Sequence, residues 1–212
     1  MTTRTLPCSR MIVALTGFMG CGKSSVGKEL SVLLDMPLVD LDKYIVDKAG
    51  KSIADIFAEQ GEKAFRDLES AALAELLVGA GSIPPENCAT LGNIRGGDPS
   101  DKLKGGPKDV FREDAPCSKS FVLSLGGGTI LRPENAALIK KRCKCFFLRA
   151  NVDTLRLHLG GDQSHRPLLK DGGFEAMLAE RTPAYTAAAD YIIDIDNISP
   201  MQTAGIIANL IS

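Results

Sequence analysis

The residues Gly17-Phe18-Met19-Gly20-Cys21-Gly22-Lys23-Ser24 constrain this chain more than any other stretch. They fit the pattern GxxxxGK[ST] in full and stand between a continuously apolar run, Met11 to Leu15, and a helical pattern over 23–34. A strand, a tight glycine turn and a helix in that order make a loop whose backbone N–H groups converge on phosphate oxygens, backed by the positive end of the helix. Glycine permits the convergence because no Cβ stands in the way. Lys23 is expected to reach the β and γ phosphates and Ser24 to offer its hydroxyl to Mg²⁺. Residues Gly17 to Ser25 are therefore the expected site for a nucleoside triphosphate. A GxGxxG dinucleotide fingerprint begun at Gly20 and Gly22 would need a third glycine where the chain has Ser25. Cys21 lies beside a lysine and a helix N-terminus, both of which favour thiolate, so fast alkylation slowed by nucleotide is one expectation. The competing one is a small residue that simply fits the loop.

Further apolar runs occur at Pro37–Val39, Phe121–Leu125, Cys145–Leu148 and Tyr191–Ile193. Helical segments lie between them, at roughly 23–34, 61–78, 133–142, 151–158, 173–182 and 200–211. In the second of these Phe65, Leu68, Ala72 and Leu76 recur at helical spacing and predict one buried stripe. Strands alternating with helices predict an α/β fold with a mostly parallel sheet, helices on both faces, and ligands outside the carboxyl ends of the strands. Residues 80–119 break the rhythm, being rich in Gly, Pro, Ser and charge. They are expected to form an irregular insertion in a single domain spanning 1–212, leaving the sheet at its amino edge, away from the site.

Composition excludes several classes of function. Hydrophobic residues make up 44% and charged residues 24%, as in globular proteins. With 25 basic and 26 acidic residues the net charge is -1, so no basic face for nucleic acid is expected. The longest uncharged stretch, Asn197 to Ser212, carries Asn, Gln, Ser, Thr and Pro, and no membrane partner is expected. The opening residues MTTRTLPCSR lack an apolar signal core, which points to the cytoplasm. The two histidines, His158 and His165, share one polar stretch and suit neither a zinc site nor a Ser-His-Asp triad. The six cysteines form no CxxC pair and are expected to be reduced thiols.

Other chemistry-bearing residues fall at expected strand ends. Asp40 and Asp42 lie two apart and can face the same way. Asp40 suits a Mg²⁺ carboxylate, and Asp42 could take a proton from an acceptor hydroxyl. Alternatively, Asp42 caps a helix starting at Lys43. Arg66, with Glu62 four residues before and Glu69 three after, is either a site cation or a member of a surface ion pair. Gly126-Gly127-Gly128 follows the expected strand at 121–125 and allows close backbone approach to a ligand, or is an ordinary turn. Arg166 follows a polar stretch from Gly160 to His165, which suits a mobile lid carrying a charge-neutralising arginine, or a solvated loop. Arg181 opens RTPAY and could be a helix C-terminal cation.

The set GFMGCGKSSVG at 17–27, DLD at 40–42, SIADIFAEQGEKAFRDLE at 52–69, LSLGGGTIL at 123–131, RPLL at 166–169 and RTPAY at 181–185 resembles the shikimate kinase family. The resemblance covers nearly the whole chain apart from 80–119. It implies a P-loop kinase fold, a three-layer α/β/α sandwich with a five-stranded parallel sheet and a lid at about 158–173. The implied activity is transfer of a phosphoryl group from Mg-ATP to the 3-hydroxyl of shikimate by a cytoplasmic monomer. By that likeness Lys23 and the loop backbone hold ATP, with Ser24 and Asp40 serving Mg²⁺. Asp42 binds the shikimate hydroxyls and is the candidate base. Arg66 and Arg181 grip the shikimate carboxylate, Gly126, Gly127 and Gly128 line its ring, and Arg166 closes onto the phosphates. The chain departs from the family pattern at His158, where relatives usually place an arginine near the adenine, and in one extra residue before Arg166. Gluconate kinase, a nucleoside monophosphate kinase and a non-catalytic nucleotide-binding module are the alternative readings. The first two share the loop but do not need the DLD, FR, GGG and RxPxY elements together.

Overall fold

A computed structural model describes residues 11–78, 120–160 and 173–211. The stretch 80–119 and Arg166, with most of the expected lid, lie outside the described residues. Strand β1 (Ile12–Thr16) is buried along its whole length, the reason its sequence is continuously apolar rather than alternating. It is followed by α1 (Lys23–Leu34), β2 (Leu38–Asp40), α2 (Leu41–Ala49), α3 (Ile53–Val78) and β3 (Phe121–Ser124). A 3-10 turn (Thr129–Leu131), α4 (Pro133–Arg142), β4 (Lys144–Arg149), α5 (Val152–Leu159), α6 (Gly173–Ala188), β5 (Tyr191–Asp194) and α7 (Pro200–Ile211) complete the order.

The five strands form one sheet in the order β2-β3-β1-β4-β5, and every pair is parallel. Leu15 pairs with Phe146 and Thr16 with Phe147, so Leu15 and Phe147 point to opposite faces. On the Leu15 side the chain passes under Gly27 of α1, where a Cβ would come within 3.5 Å of Leu15 Cδ1. On the Phe147 side the ring of Tyr185 from α6 lies 5.2 Å away. Helices therefore cover both faces, the three layers expected from the alternation of runs.

The expected strands are all present, and the helices differ in instructive places. Helix α2 begins at Leu41 and is capped by Asp40, whose Oδ1 accepts the N–H groups of Asp42 and Lys43 at 3.1 and 3.2 Å. Asp42 is thus not the cap. The helix expected at 61–78 is present as the second half of α3, preceded by a further helical stretch from Ile53, and the two meet at a kink at Gly61, with φ 80° and ψ 172°. Leu68 is 38% exposed and lies off the expected stripe, while Glu69 is buried among Phe65, Ala72, Leu73, Leu76 and Leu77. Helix α6 continues past 182 and through Pro183 to Ala188, held by the buried Tyr185 and Ala188. Arg181 therefore sits well inside this helix rather than at its C-terminal end.

A Cβ at Gly61 would meet nothing within 4 Å, yet the backbone there is in a region that only glycine adopts without strain. Gly61→Ala should lower stability by about 1–3 kcal/mol in urea unfolding, from backbone strain alone. A gain of about 0.5–1 kcal/mol, the effect of the same change in a continuous helix, would contradict the kink.

Candidate active site

The loop after β1 is built as its motif requires. Gly22 caps α1 with φ 77°, a left-handed conformation that glycine adopts freely, and its carbonyl accepts from Val26 N at 2.9 Å. The Lys23 ammonium donates to the Gly17 and Phe18 carbonyls at 2.9 and 3.0 Å. Its next neighbour is Cys21 Sγ at 3.7 Å. Cys21 is only 1% exposed. That burial favours the small residue that fits the loop and contradicts the expected fast alkylation, because a thiol must be reachable as well as activated. Cys143 and Cys145 are likewise buried.

Ser24 Oγ donates to Asp40 Oδ2 at 3.2 Å. Asp40 thus has one oxygen on the helix cap and the other on the first turn of α1, joining β2 to the phosphate loop. Asp42 lies in the first turn of α2 and is partly buried. Burial, with the charges of Asp40 and Glu69, pushes its pKa up from 3.8 to about 6, against the opposing pull of Lys23 and Arg66. The acidic residue and the two cations singled out in the sequence therefore share one electrostatic environment.

The three glycines after β3 close the site from the other side. A Cβ at Gly126 would fall 2.8 Å from both Asp42 Oδ1 and Glu69 Oε1. One at Gly128 would fall 2.6 Å from Arg66 Cζ. At Gly127 it would stand 3.8 Å from Gly17 O, 3.9 Å from Met19 N and 3.9 Å from the Tyr185 hydroxyl. Arg66 forms both of the ion pairs that its spacing suggested, Nη1 to Glu69 Oε2 at 2.9 Å and Nη2 to Glu62 Oε1 at 3.4 Å. The two pairs differ in kind, since Glu69 is 1% exposed and Glu62 69%. Burial works against the Arg66 charge, but the pairs with Glu69 and Glu62 hold its pKa above the ordinary value.

Arg181 lies over the Phe18 ring, 5.9 Å from its centroid. The Tyr185 hydroxyl donates to Gly127 O at 2.5 Å. Burial raises the Tyr185 pKa to about 12, despite the lowering effect of Arg181, so the phenol stays a donor. Neither this tether nor the burial of Glu69 was legible beforehand. Tyr185 was visible only as part of RTPAY, and Glu69 only as a possible partner of Arg66.

On the far side of the phosphate loop, a cavity of about 370 Å³ is bounded by Cys21, Ser25, His158, Ile198, Pro200 and Thr203. His158 Nδ1 lies 2.9 Å from Gly20 O, which ties the end of α5 to the tip of the loop. Among the described residues no group of three or more His, Cys, Asp or Glu could hold a metal ion. No helix there is long and apolar enough to cross a membrane.

A family model described as shikimate kinase matches residues 19–83 and 111–211. The shikimate kinase of Dictyoglomus turgidum is 34% identical over 192 residues, covering 89% of this chain and 90% of the relative. That of Salinibacter ruber is 35% identical over 198 residues, covering 88% and 78%. Among solved structures, the shikimate kinase of Acinetobacter baumannii in complex with shikimate superposes with a TM-score of 0.71 at 26% identity, covering 96% and 94% of the two chains. The enzyme of Aquifex aeolicus gives 0.66 at 26%, covering 95% and 96%.

The raised pKa of Asp42 has a stability consequence. The folded state binds this proton more tightly than the unfolded chain does, so the contribution is full below about pH 3.8 and is lost as pH rises through about 6. Asp42→Asn should flatten the dependence of stability on pH between those values. At pH 7 it should stabilise the fold by on the order of 1–3 kcal/mol. Urea unfolding at pH 4 and pH 7 measures both, and a loss of stability at pH 7 would contradict the environment described.

Proposed function

The chain belongs to the shikimate kinase family, and we propose that its site transfers the terminal phosphoryl group of ATP to the 3-hydroxyl of shikimate. One observation carries the reading at the level of residues: Asp42 feels Lys23 of the phosphate loop and Arg66 of the opposite wall at once. A donor phosphate on the loop and a carboxylate on the arginine would place an acceptor hydroxyl beside Asp42.

In this reading the N–H groups of Gly17 to Ser25 and the N-terminus of α1 bind the phosphates. Lys23 exchanges its two loop carbonyls for phosphate oxygens, so its charge strengthens where negative charge develops. The cavity beside His158 and Pro200 receives the nucleoside, its walls made by Ile198 and Thr203. Ser24 and Asp40 Oδ2 are hard oxygen donors on one side of the loop, and this set fits Mg²⁺, which takes one or two carboxylates together with phosphates and water. When bound, that ion neutralises charge on the phosphate oxygens.

Arg66 and Arg181 grip the carboxylate of shikimate, and arginine suits that task because its planar fork matches the two oxygens. Gly126 to Gly128 let the ring approach backbone rather than side chains. Asp42, with a pKa of about 6, is mostly ionised at neutral pH, yet basic enough to accept the proton that the attacking hydroxyl releases. Arg166 is assigned to closure over the phosphates. The stretch 80–119 is assigned to an insertion, supported by a family match that leaves out 84–110.

The test is ADP release measured with shikimate, gluconate and nucleoside monophosphates as acceptors. Turnover should depend on shikimate alone. Lys23→Ala should lower kcat on the order of 100-fold or more. Asp42→Asn should lower kcat while shikimate still binds, and Arg66→Ala should raise the shikimate KM with the ATP KM little changed. ATP consumption indifferent to shikimate would overturn the proposal.

A further inference from the structure

The glycine turn runs directly into a residue that belongs to none of the groups assigned above. Thr129 opens the 3-10 turn and is fully buried. Each of its polar groups is committed. Its N–H donates to Gly126 O at 3.2 Å, and its carbonyl accepts from Asn135 Nδ2 at 2.9 Å. Its hydroxyl donates to Glu69 Oε1 at 2.5 Å. Asn135 is itself buried, so α4 fixes the turn from behind.

Glu69 is the reason this hydroxyl matters. Its carboxylate is 1% exposed and has two oxygens to satisfy. Arg66 Nη1 serves Oε2 at 2.9 Å, and Thr129 serves Oε1. A buried carboxylate with one oxygen left bare is costly, and it relieves that cost by drawing its remaining donor closer or by turning to share it. Either response moves the Arg66 guanidinium. The Nη2 edge of that guanidinium is held by exposed Glu62 at 3.4 Å, a long contact that an acceptor carboxylate can replace. The pose of Arg66 toward the acceptor is therefore set from the buried side.

We propose that Thr129 is a positioning residue for the acceptor: through its hydroxyl bond to Glu69 it fixes the orientation in which Arg66 receives the substrate carboxylate. This rests on the reading of Arg66 given under Proposed function. Thr129 touches neither substrate nor nucleotide in this scheme, and it acts on acceptor affinity rather than on the phosphoryl step. Its contact runs from the turn after β3 to α3, across 60 positions of chain, so the acceptor's cation and the glycine turn are set as one unit.

The experiment compares Thr129→Val, which keeps the shape and loses the hydroxyl, with Thr129→Ser, which keeps the hydroxyl. Thr129→Ala replaces the valine variant if thermal unfolding shows that valine does not fold. At saturating ATP the hydroxyl-less variant should raise the shikimate KM on the order of tenfold, the size of one hydrogen bond to a charged group. Its ATP KM and kcat should stay within about twofold of wild type, and Thr129→Ser should restore the shikimate KM. In a Glu69→Ala background the valine change should have no further effect on that KM. Wild-type turnover with a shikimate KM unmoved by loss of the hydroxyl overturns the role of Thr129. So does a serine variant as impaired as valine, or a parallel rise of both KM values. A wild-type enzyme without shikimate-dependent ADP release overturns instead the reading on which this inference rests.

Discussion

The site depends on strands β2, β3 and β1 ending at one level of the parallel sheet. Asp40, Ser124 and Leu15 stand in register across the three strands, and Leu125 N donates to Leu15 O at 3.0 Å just beyond the last pair. Every turn leaving these strands therefore emerges from the same edge. The phosphate loop leaves β1, the glycine turn leaves β3, and the Asp40–Asp42 segment leaves β2. Residues far apart in sequence meet here because the backbone ladder fixes register, and a slip of one residue would turn each side chain to the other face. Hydrogen bonds of β1 on both edges and the burial of all its side chains make that slip expensive.

Charge is the second constraint. The edge gathers Asp40, Asp42 and Glu69 with Lys23 and Arg66, and neither sign is allowed to dominate. Glu69 is neutralised by Arg66 and by a hydroxyl, and Asp40 is spent on amides and on Ser24. Asp42 is left with burial and two acidic neighbours against it, which is why its proton affinity rises. The balance suits chemistry in which an anionic acceptor meets an anionic donor. Arg66, already engaged by two carboxylates, stays in place, and its exposed partner Glu62 gives way more readily than the buried Glu69. Tyr185 adds a neutral tether to the turn without adding charge.

Most of the fold was legible in the sequence because its signals are local. The apolar runs became the strands, and the GxxxxGKS pattern became a strand, a turn and a helix. Its failures share one physical cause, a tertiary contact that overrides local preference. Leu68 has the right spacing and polarity for the core, but Glu69 takes the inward place because Thr129 and Arg66 satisfy its carboxylate there. Pro183 should stop α6, yet the helix carries on because the buried Tyr185 and Ala188 lie beyond it. Asp42 is a possible cap on sequence alone, but Asp40 takes that place because the helix starts at Leu41, directly where β2 ends. Arg66 was equally readable as a site cation or an ion-pair member. The structure shows the ion pairs, and they leave the site role proposed above open to it, since a guanidinium has more donors than one carboxylate can use.

The glycines of the two turns look alike in sequence and serve different ends. In the phosphate loop Gly22 has positive φ, and the backbone itself needs glycine. In the turn after β3 none of Gly126, Gly127 and Gly128 has positive φ, and Gly128 is in ordinary right-handed space. What these residues supply is room. A methyl group at Gly126 would press on two carboxylate oxygens, and one at Gly128 would press on the guanidinium of Arg66. The far ends of those side chains can move, so the molecule would still fold, with those charged groups pushed out of place. A triple glycine at a strand end is thus weak as a signal of backbone conformation. It is a strong one of charged side chains packed directly against the main chain, which is how a small acid could be held close to the phosphate loop.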